Sequence, residues 1–473
     1  MLNENIINFN FLVLTMNNNN NDEWIHFAKQ GLDWLIKKMG CEEWYRRRQN
    51  VADYFHQVKI LNQTKESIEQ GDLSNEFSPI AIYNDWMSWY MYLVESVFER
   101  QGCDDPFQSS RIYPFFVTIG RDIDALESMK GIEDKLKIMF NEKQNKPDST
   151  LYELAVALLY HRNGWYVEFL PESIQNKTPD LQITKNSDKY WVECKRVAKV
   201  NDYAEKERLE WQKRLFHLMN AMQMVGRPAF SEVIFKVPID QVKEHVLASA
   251  YLHYITCGFL EDNSFFSTEE IDFRISWLNL EAINEELKGS SVKPNSPFMI
   301  KLITGDYHMD GNYSLALKPS LIESVNPDNK LYVLNDFYGG VHSAYAAKWD
   351  CIAEESTDRK ANNLRRKLID AVEQIPQEGK GIIHIGYETV TGSEVEIRRE
   401  EKIKKMINEF DFRSKNIVSL YFNSMQFLTD VNLIDWEETT IRYEQFPDAI
   451  LKDLLLFDVP DTKASDAVHW KKD

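Results

Sequence analysis

The segment from Thr178 to Arg196 constrains the fold of this chain more than any other stretch of its sequence. It contains two short alternating runs separated by a polar turn at residues 186–188, a pattern typical of a β-hairpin. Because side chains alternate across a strand, Glu193 and Lys195 are predicted to share one face, with Asp180 at the mouth of the neighbouring strand. The remaining side chains are predicted to form a buried layer of Leu181, Ile183, Val192 and Cys194.

Two carboxylates and a lysine on one sheet edge suit the hydrolysis of a phosphodiester bond. Asp180 and Glu193 are candidate ligands of Mg²⁺, or of Mn²⁺ in its place, because these cations prefer oxygen. The carbonyl oxygen of Cys194 is a candidate third ligand. Such a cation neutralises the phosphate and lowers the pKa of a bound water. Lys195 is predicted to orient that water or to stabilise the charge that develops in the transition state.

Asp180, together with Glu193-Cys194-Lys195, resembles the motif of the PD-(D/E)XK nuclease superfamily, which has the restriction-endonuclease-like fold. The resemblance covers about residues 149–240. It implies an α/β core in the order αβββαβ, whose last helix and strand are expected at residues 202–224 and 232–237. It also implies a nuclease that acts on nucleic acid, with DNA favoured over RNA, and a homodimer or a separate protein partner.

Glu153 has two interpretations. Thr150 and Glu153 have the spacing of a capping box, which alone explains a glutamate at this position. In the resembling fold, a glutamate on the helix before the first strand often joins the metal site, and Glu153 matches that position. Some exonuclease branches of the family add a Gln on the second helix, where this chain has Gln212. A single helical Gln is, however, more often solvated.

The rest of the chain is predicted to comprise an irregular tail at residues 1–22, a helical domain at 23–148 and a second α/β domain at 241–473. Apolar residues at helical spacing indicate the helical domain, and alternating helix and strand patterns indicate the second α/β domain. A degenerate second copy of the nuclease core is an alternative for that C-terminal part. We expect a loop at Gln101–Pro114 and a strand at Phe298–Thr304, with His384 in the core or at an edge.

The formal net charge of −19 repels phosphate at long range, so a nuclease of this composition must concentrate positive charge locally. The sequence offers three basic clusters, at residues 46–48, between residues 195 and 214, and at residues 365–367. Each cluster taken alone is more often a solvated helix face.

Nothing in the sequence predicts a membrane segment, because no apolar run approaches the roughly 18 residues that a membrane helix needs. The run Phe9–Met16 lacks a basic flank and is a poor signal peptide, and Met16 is a candidate start site. Five cysteines without a Cys-x-x-Cys pair favour reduced thiols and a cytoplasmic protein. Phosphate-cradling, dinucleotide-binding and nucleophile-elbow motifs are absent, and His and Cys do not cluster at zinc-ligand spacing.

Two classes of function follow from these patterns. The first is a metal-dependent nuclease that hydrolyses phosphodiester bonds, in a restriction or phage-defence setting. The alternative is a catalytically silent nuclease-fold scaffold or regulatory module that binds a protein through its acidic remainder. The intact set of Asp180, Glu193 and Lys195 favours the enzyme, because a decayed site usually loses one of its charged residues.

Overall fold

The computed structural model describes residues 21–63, 84–100, 105–141, 147–171, 178–197, 202–257, 264–290, 292–293, 295–322, 337–361, 364–389, 392–429, 434–444, 450–457 and 468–470. Most of the predicted tail, at residues 1–20, lies outside the described residues. Within these ranges, no helix is long and apolar enough to cross a membrane.

The helices fall into an N-terminal group and several that alternate with strands. In chain order they are α1 (Asn21–Met39), α2 (Cys41–Gln63), α3 (Trp86–Glu99), α4 (Pro106–Arg121), α5 (Ile123–Ser128), α6 (Ile132–Met139), α7 (Pro147–Arg162), α8 (Asp202–Val225), α9 (Val246–Thr256), α10 (Leu280–Leu287), α11 (Pro297–Thr304), α12 (Glu354–Lys360), α13 (Arg365–Gln374) and α14 (Ser393–Glu409).

The strands are β1 (Tyr166–Phe169), β2 (Leu181–Lys185), β3 (Asp188–Arg196), β4 (Ala229–Phe235), β5 (Ser264–Ser267), β6 (Ile271–Trp277), β7 (Asn312–Ile322), β8 (Phe337–Cys351), β9 (Lys380–Glu388), β10 (Asn416–Thr429) and β11 (Ile434–Glu444). They form two mixed sheets, so the α/β class is confirmed. One sheet has the order β1-β2-β3-β9-β10-β11, and the other has the order β5-β6-β4-β8-β7.

The predicted hairpin is confirmed. Strands β2 and β3 pair antiparallel, with Leu181 opposite Val192 and Ile183 opposite Tyr190. The turn between them begins at Asn186, which adopts a φ of 56°. Asparagine tolerates this left-handed region better than most residues, which is why a turn can form here without glycine.

The strand predicted at residues 232–237 forms as β4, but it does not belong to the sheet of the hairpin. It lies in the five-stranded sheet, between β6 and β8. The neighbour of β3 is β9, which runs parallel to it and pairs Glu193 with Ile383. Local patterns identify a buried strand but do not encode its partner. Residues 202–361, which build the whole five-stranded sheet, are therefore inserted between β3 and α13.

Each sheet is covered by helices on both faces. The helices α1–α7 share one continuous apolar core with one face of the six-stranded sheet, through residues such as Leu154, Leu181 and Val192. The opposite face packs against α13 and α14. Helices α8 and α9 cover one face of the five-stranded sheet, while α10 and α11 cover the other.

Three local predictions are also wrong, in each case because of helix-start chemistry. Most of the loop expected at Gln101–Pro114 belongs to α4, where the side chain of Asp105 caps the first turn. The strand expected at Phe298–Thr304 is α11, which Ser296 caps and Gly305 ends at a φ of 80°. Helix α7 begins at Pro147, so Thr150 lies inside the helix and is not its cap. The capping-box interpretation of Glu153 therefore fails.

Candidate active site

The hairpin register brings two of the predicted acids together. Leu181, the first residue of β2, pairs with Val192, so Asp180, which directly precedes β2, lies across from Glu193 where the pairing ends. Side chains directly opposite each other in an antiparallel pair have Cβ atoms roughly 5 Å apart. The Asp180 carboxylate also accepts a hydrogen bond of 2.8 Å from the backbone N–H of Cys194, which fixes its position at the end of β2.

Glu193 lies at the centre of this arrangement and is fully buried. Its partner is Lys195, two residues along the same face of β3, whose ammonium group forms an ion pair with the Glu193 carboxylate. The side chain of Lys195 is 19% exposed, so this end of the cluster reaches solvent. A buried carboxylate is costly unless hydrogen bonds and positive charge compensate for it.

The pKa values of both partners are raised, with different leading causes. Burial, and then the Asp180 carboxylate, raises the pKa of Glu193 well above its ordinary value, and Glu153 adds to the effect. Burial would lower the pKa of Lys195, but Glu193 and Asp180 outweigh it and raise that pKa. The nearby carboxylates favour the protonated form of both groups, and they outnumber the ammonium groups. The cluster therefore has a deficit of positive charge.

Glu153 is close enough to this cluster to influence it, but its carboxylate is engaged elsewhere. It forms a buried ion pair with Lys135 from α6, whose side chain is only 4% exposed. Lys135 could not be predicted as a partner, because a single lysine in a short amphipathic helix is normally solvated. The pair shows how the N-terminal helices contribute charge next to the hairpin.

Cys194 presents its backbone rather than its thiol to the acids. Its side chain is buried on the α7 face, where burial, and then Asp180 and Glu153, raises the pKa of the thiol. Its N–H points to Asp180. The N–H and C=O of one residue in an extended strand point to the same side, so the carbonyl oxygen of Cys194 faces the β2 side of its strand. The role of this oxygen as a metal ligand stays a prediction.

The donors present fit a hard divalent cation better than a soft one. Asp180, Glu193 and the Cys194 carbonyl offer only oxygen, which suits Mg²⁺ or Mn²⁺. The deficit of positive charge around the buried Glu193 carboxylate is what such an ion would correct. Across the described ranges, no group of three or more His, Cys, Asp or Glu side chains has the arrangement of a metal site. The proposed ligand set has only two such side chains, Asp180 and Glu193, and one backbone oxygen, so it would not count as a group of this kind.

A second charged cluster lies at the end of the same strand and was not predicted. Arg196 points to the face opposite Lys195 and forms an ion pair with Glu388 at the end of β9. Arg111 from α4 donates to the same carboxylate, with a distance of 2.8 Å from its Nε. Burial would raise the pKa of Glu388, but the two arginines lower it. The cluster links the helical layer to both parallel strands beside the candidate site.

Gln212 does not belong to this site, because α8 packs on the five-stranded sheet. His384 is a core residue, as expected, and is fully buried in β9. The described cysteines, Cys41, Cys194, Cys257 and Cys351, are free thiols.

The chain was compared with protein-family models, with curated proteins and with solved structures. No match was found in any of the three comparisons.

Proposed function

We propose that this protein is a metal-dependent nuclease that hydrolyses phosphodiester bonds, with DNA as its favoured substrate. The observation that carries the proposal is the close approach of Asp180 to a fully buried Glu193 whose carboxylate is paired with the single ammonium group of Lys195. Two acids held together without enough positive charge are poor structural elements, but they are suitable ligands for Mg²⁺ or Mn²⁺.

The order of elements around the hairpin supports a restriction-endonuclease-like core. Helix α7, strands β1, β2 and β3, helix α13 and strand β9 follow the αβββαβ order, if residues 202–361 are treated as an insertion. In this assignment α13 and β9 take the positions first predicted for α8 and β4. The parallel pairing of β3 with β9 and the packing of α13 on the Lys195 face are consistent with it.

The residues have distinct roles in this proposal. Asp180, Glu193 and the Cys194 carbonyl would hold the cation, which supplies charge neutralisation and a more acidic water. Lys195 has a raised pKa and stays protonated at neutral pH. It therefore acts as a fixed positive charge beside the phosphate rather than as the base that takes a proton from water. Glu153 is a less favoured candidate ligand, because Lys135 already neutralises its carboxylate.

A cleavage assay tests the proposal. Its substrates are linear, circular and single-stranded DNA and RNA, each with and without Mg²⁺. We expect Mg²⁺-dependent cleavage that falls by at least roughly 100-fold in Asp180→Asn and in Lys195→Ala, by analogy with the loss of other transition-state charge stabilisers. Asp180→Asn retains an oxygen that can accept the Cys194 N–H, so the hairpin should fold.

Asp188→Asn is the matched control, because Asp188 is an exposed carboxylate at the opposite end of β3. It should cleave like the unaltered protein. Full cleavage by folded Asp180→Asn and Lys195→Ala would refute the site. Failure of calorimetry to detect Mg²⁺ or Mn²⁺ binding would instead favour the non-catalytic scaffold.

A further inference from the structure

The structure separates the three basic clusters of the sequence into two that are neutralised and one that is not. In the first cluster, Arg46 and Arg47 pair with Glu43, and Arg48 pairs with Glu95. Most members of the second cluster, between residues 195 and 214, pair with carboxylates as well. Apart from Lys195, which belongs to the candidate active site, these side chains are therefore poor candidates for contacts with phosphate.

The third cluster consists of Arg365, Arg366 and Lys367, which we call the α13 basic triplet. Both arginines are exposed and the lysine is half-buried. No ion pair or hydrogen bond joins any of the three side chains to another described residue. Arg365 lies over the ring of Phe410 at 5.7 Å, which positions its guanidinium group without neutralising it.

The triplet also occupies a position that local helix energetics disfavours. The first turn of α13 contains no acidic residue. Cations near a helix N-terminus face the positive end of the helix dipole and typically cost a few tenths of a kcal/mol each. The chain has a net charge of −19, so its electrostatic potential is mostly negative. Three adjacent cations without carboxylate partners create a local region of positive potential.

The packing of α13 places the triplet beside the candidate active site. At the C-terminal end of the helix, Ile375 covers Gly381, which pairs with Trp191. The ten residues of α13 extend about 15 Å, which is the length of four to five strand residues. Helix α13 leads directly into β9 and packs against β3 and β9, so its first turn lies near the level of Lys195. Leu364 directly precedes the triplet, and Val197 lies two residues after Lys195. Both belong to one apolar cluster.

We propose that the α13 basic triplet is the surface that binds the phosphate backbone of the DNA and holds it over Lys195. The proposal rests on the proposed nuclease function and adds the surface that would overcome the long-range repulsion of an acidic chain. Binding through phosphates carries no base information, so the triplet would contribute affinity without sequence preference.

The test measures binding of a short DNA duplex in EDTA, where cleavage cannot proceed, over a range of salt concentrations. The variant Arg365→Gln/Arg366→Gln/Lys367→Gln should bind roughly 10- to 100-fold more weakly at low salt, and its log–log salt slope should fall by up to about 2.7. The control Lys206→Gln/Arg208→Gln/Lys213→Gln removes the same charge from an exposed helix face whose cations pair with Glu205, Glu210 and Asp240. It should bind like the unaltered protein.

The outcomes separate this surface from the nuclease itself. Equal losses in both triple variants would overturn the proposal, because net charge rather than position would then govern binding. Normal binding by the folded α13 variant would also overturn it, whether or not the unaltered protein cleaves DNA. Selective loss of binding in a protein that shows no cleavage would support the surface and reject the nuclease. Far-UV circular dichroism checks that each variant is folded.

Discussion

At the scale of single residues, buried ion pairs with partners from distant segments surround the hairpin. The alternation around Glu193 and the turn at Asn186 predicted which side chains share a face, and the register agrees. The partners that come from distant segments were not visible. Lys135 reaches Glu153 from another helix, and Arg111 reaches Glu388 from a helix that precedes the hairpin. Spacing rules describe neighbours along one element only.

The Lys135–Glu153 pair gives a prediction at this scale. Lys135→Met leaves the buried Glu153 carboxylate without its ammonium partner, which should lower the free energy of unfolding by about 3–5 kcal/mol. Adding Glu153→Gln should restore most of that loss, because the uncompensated charge is removed. Urea denaturation of both single variants and the double variant measures the coupling. Strictly additive losses would show that the two side chains do not stabilise each other.

The same double variant decides the role of Glu153. If this glutamate serves only the buried pair, the refolded double variant should cleave DNA at close to the normal rate. A large loss of cleavage in a variant of normal stability would indicate that Glu153 is a metal ligand.

At the scale of elements, helices and strands were predicted well where a periodic pattern coincided with a clear boundary. Helix α8 and strands β2, β3 and β4 agree with the sequence patterns. Strand pairing was not predictable, because β4 and β9 are similar apolar runs and only tertiary packing distinguishes them. Helix α11 was mistaken for a strand because its apolar residues outweighed the Ser296 cap and Gly305.

Strand β9 carries a buried polar network that makes stability depend on pH. His384 contacts the Tyr160 hydroxyl at 2.8 Å through Nε2 and the Asn423 side-chain oxygen at 3.1 Å through Nδ1. Because the Asn423 oxygen can only accept, Nδ1 carries the proton and Nε2 accepts from Tyr160. Burial lowers the pKa of His384 to about 4. The unfolded chain therefore binds a proton between about pH 6.5 and 4 that the folded protein does not bind.

Stability should increase as pH rises from 4 to 6.5, with His384 contributing up to about 3 kcal/mol of the change. His384→Phe should weaken this dependence, while costing about 1–3 kcal/mol at pH 8 because the Tyr160 hydroxyl loses its acceptor. Chemical denaturation of both proteins at several pH values measures the difference. Parallel stability curves would rule out a contribution from His384.

At the scale of the whole molecule, the insertion is the main feature that the sequence concealed. Residues 202–361 have their own sheet and two apolar clusters of their own. Their links to the rest include exposed ion pairs, such as Arg398 with Glu354. Local sequence patterns do not show that a chain leaves one sheet, forms a second sheet and then returns to the first. Domain boundaries derived from such patterns therefore miss the insertion.

This organisation predicts that the insertion can be removed. A variant in which a short Gly/Ser linker replaces residues 202–361 should still form the six-stranded sheet, because Val197 and Leu364 contribute to the same apolar cluster. Cooperative thermal unfolding and retained Mg²⁺ binding are the expected results. A molten or aggregated product would show that the five-stranded sheet is required for folding.

The pairing of β3 with β9 has a consequence for how the protein is made. A ribosome releases β3 long before β9 exists, so the nascent chain presents an open row of backbone donors and acceptors while an entire second sheet is synthesised. Open edges of this kind invite pairing with other chains, and natural proteins often protect them with charged side chains. Glu193 and Lys195 lie on that edge. The same two charges would then protect the unfinished protein from aggregation before they serve the finished one.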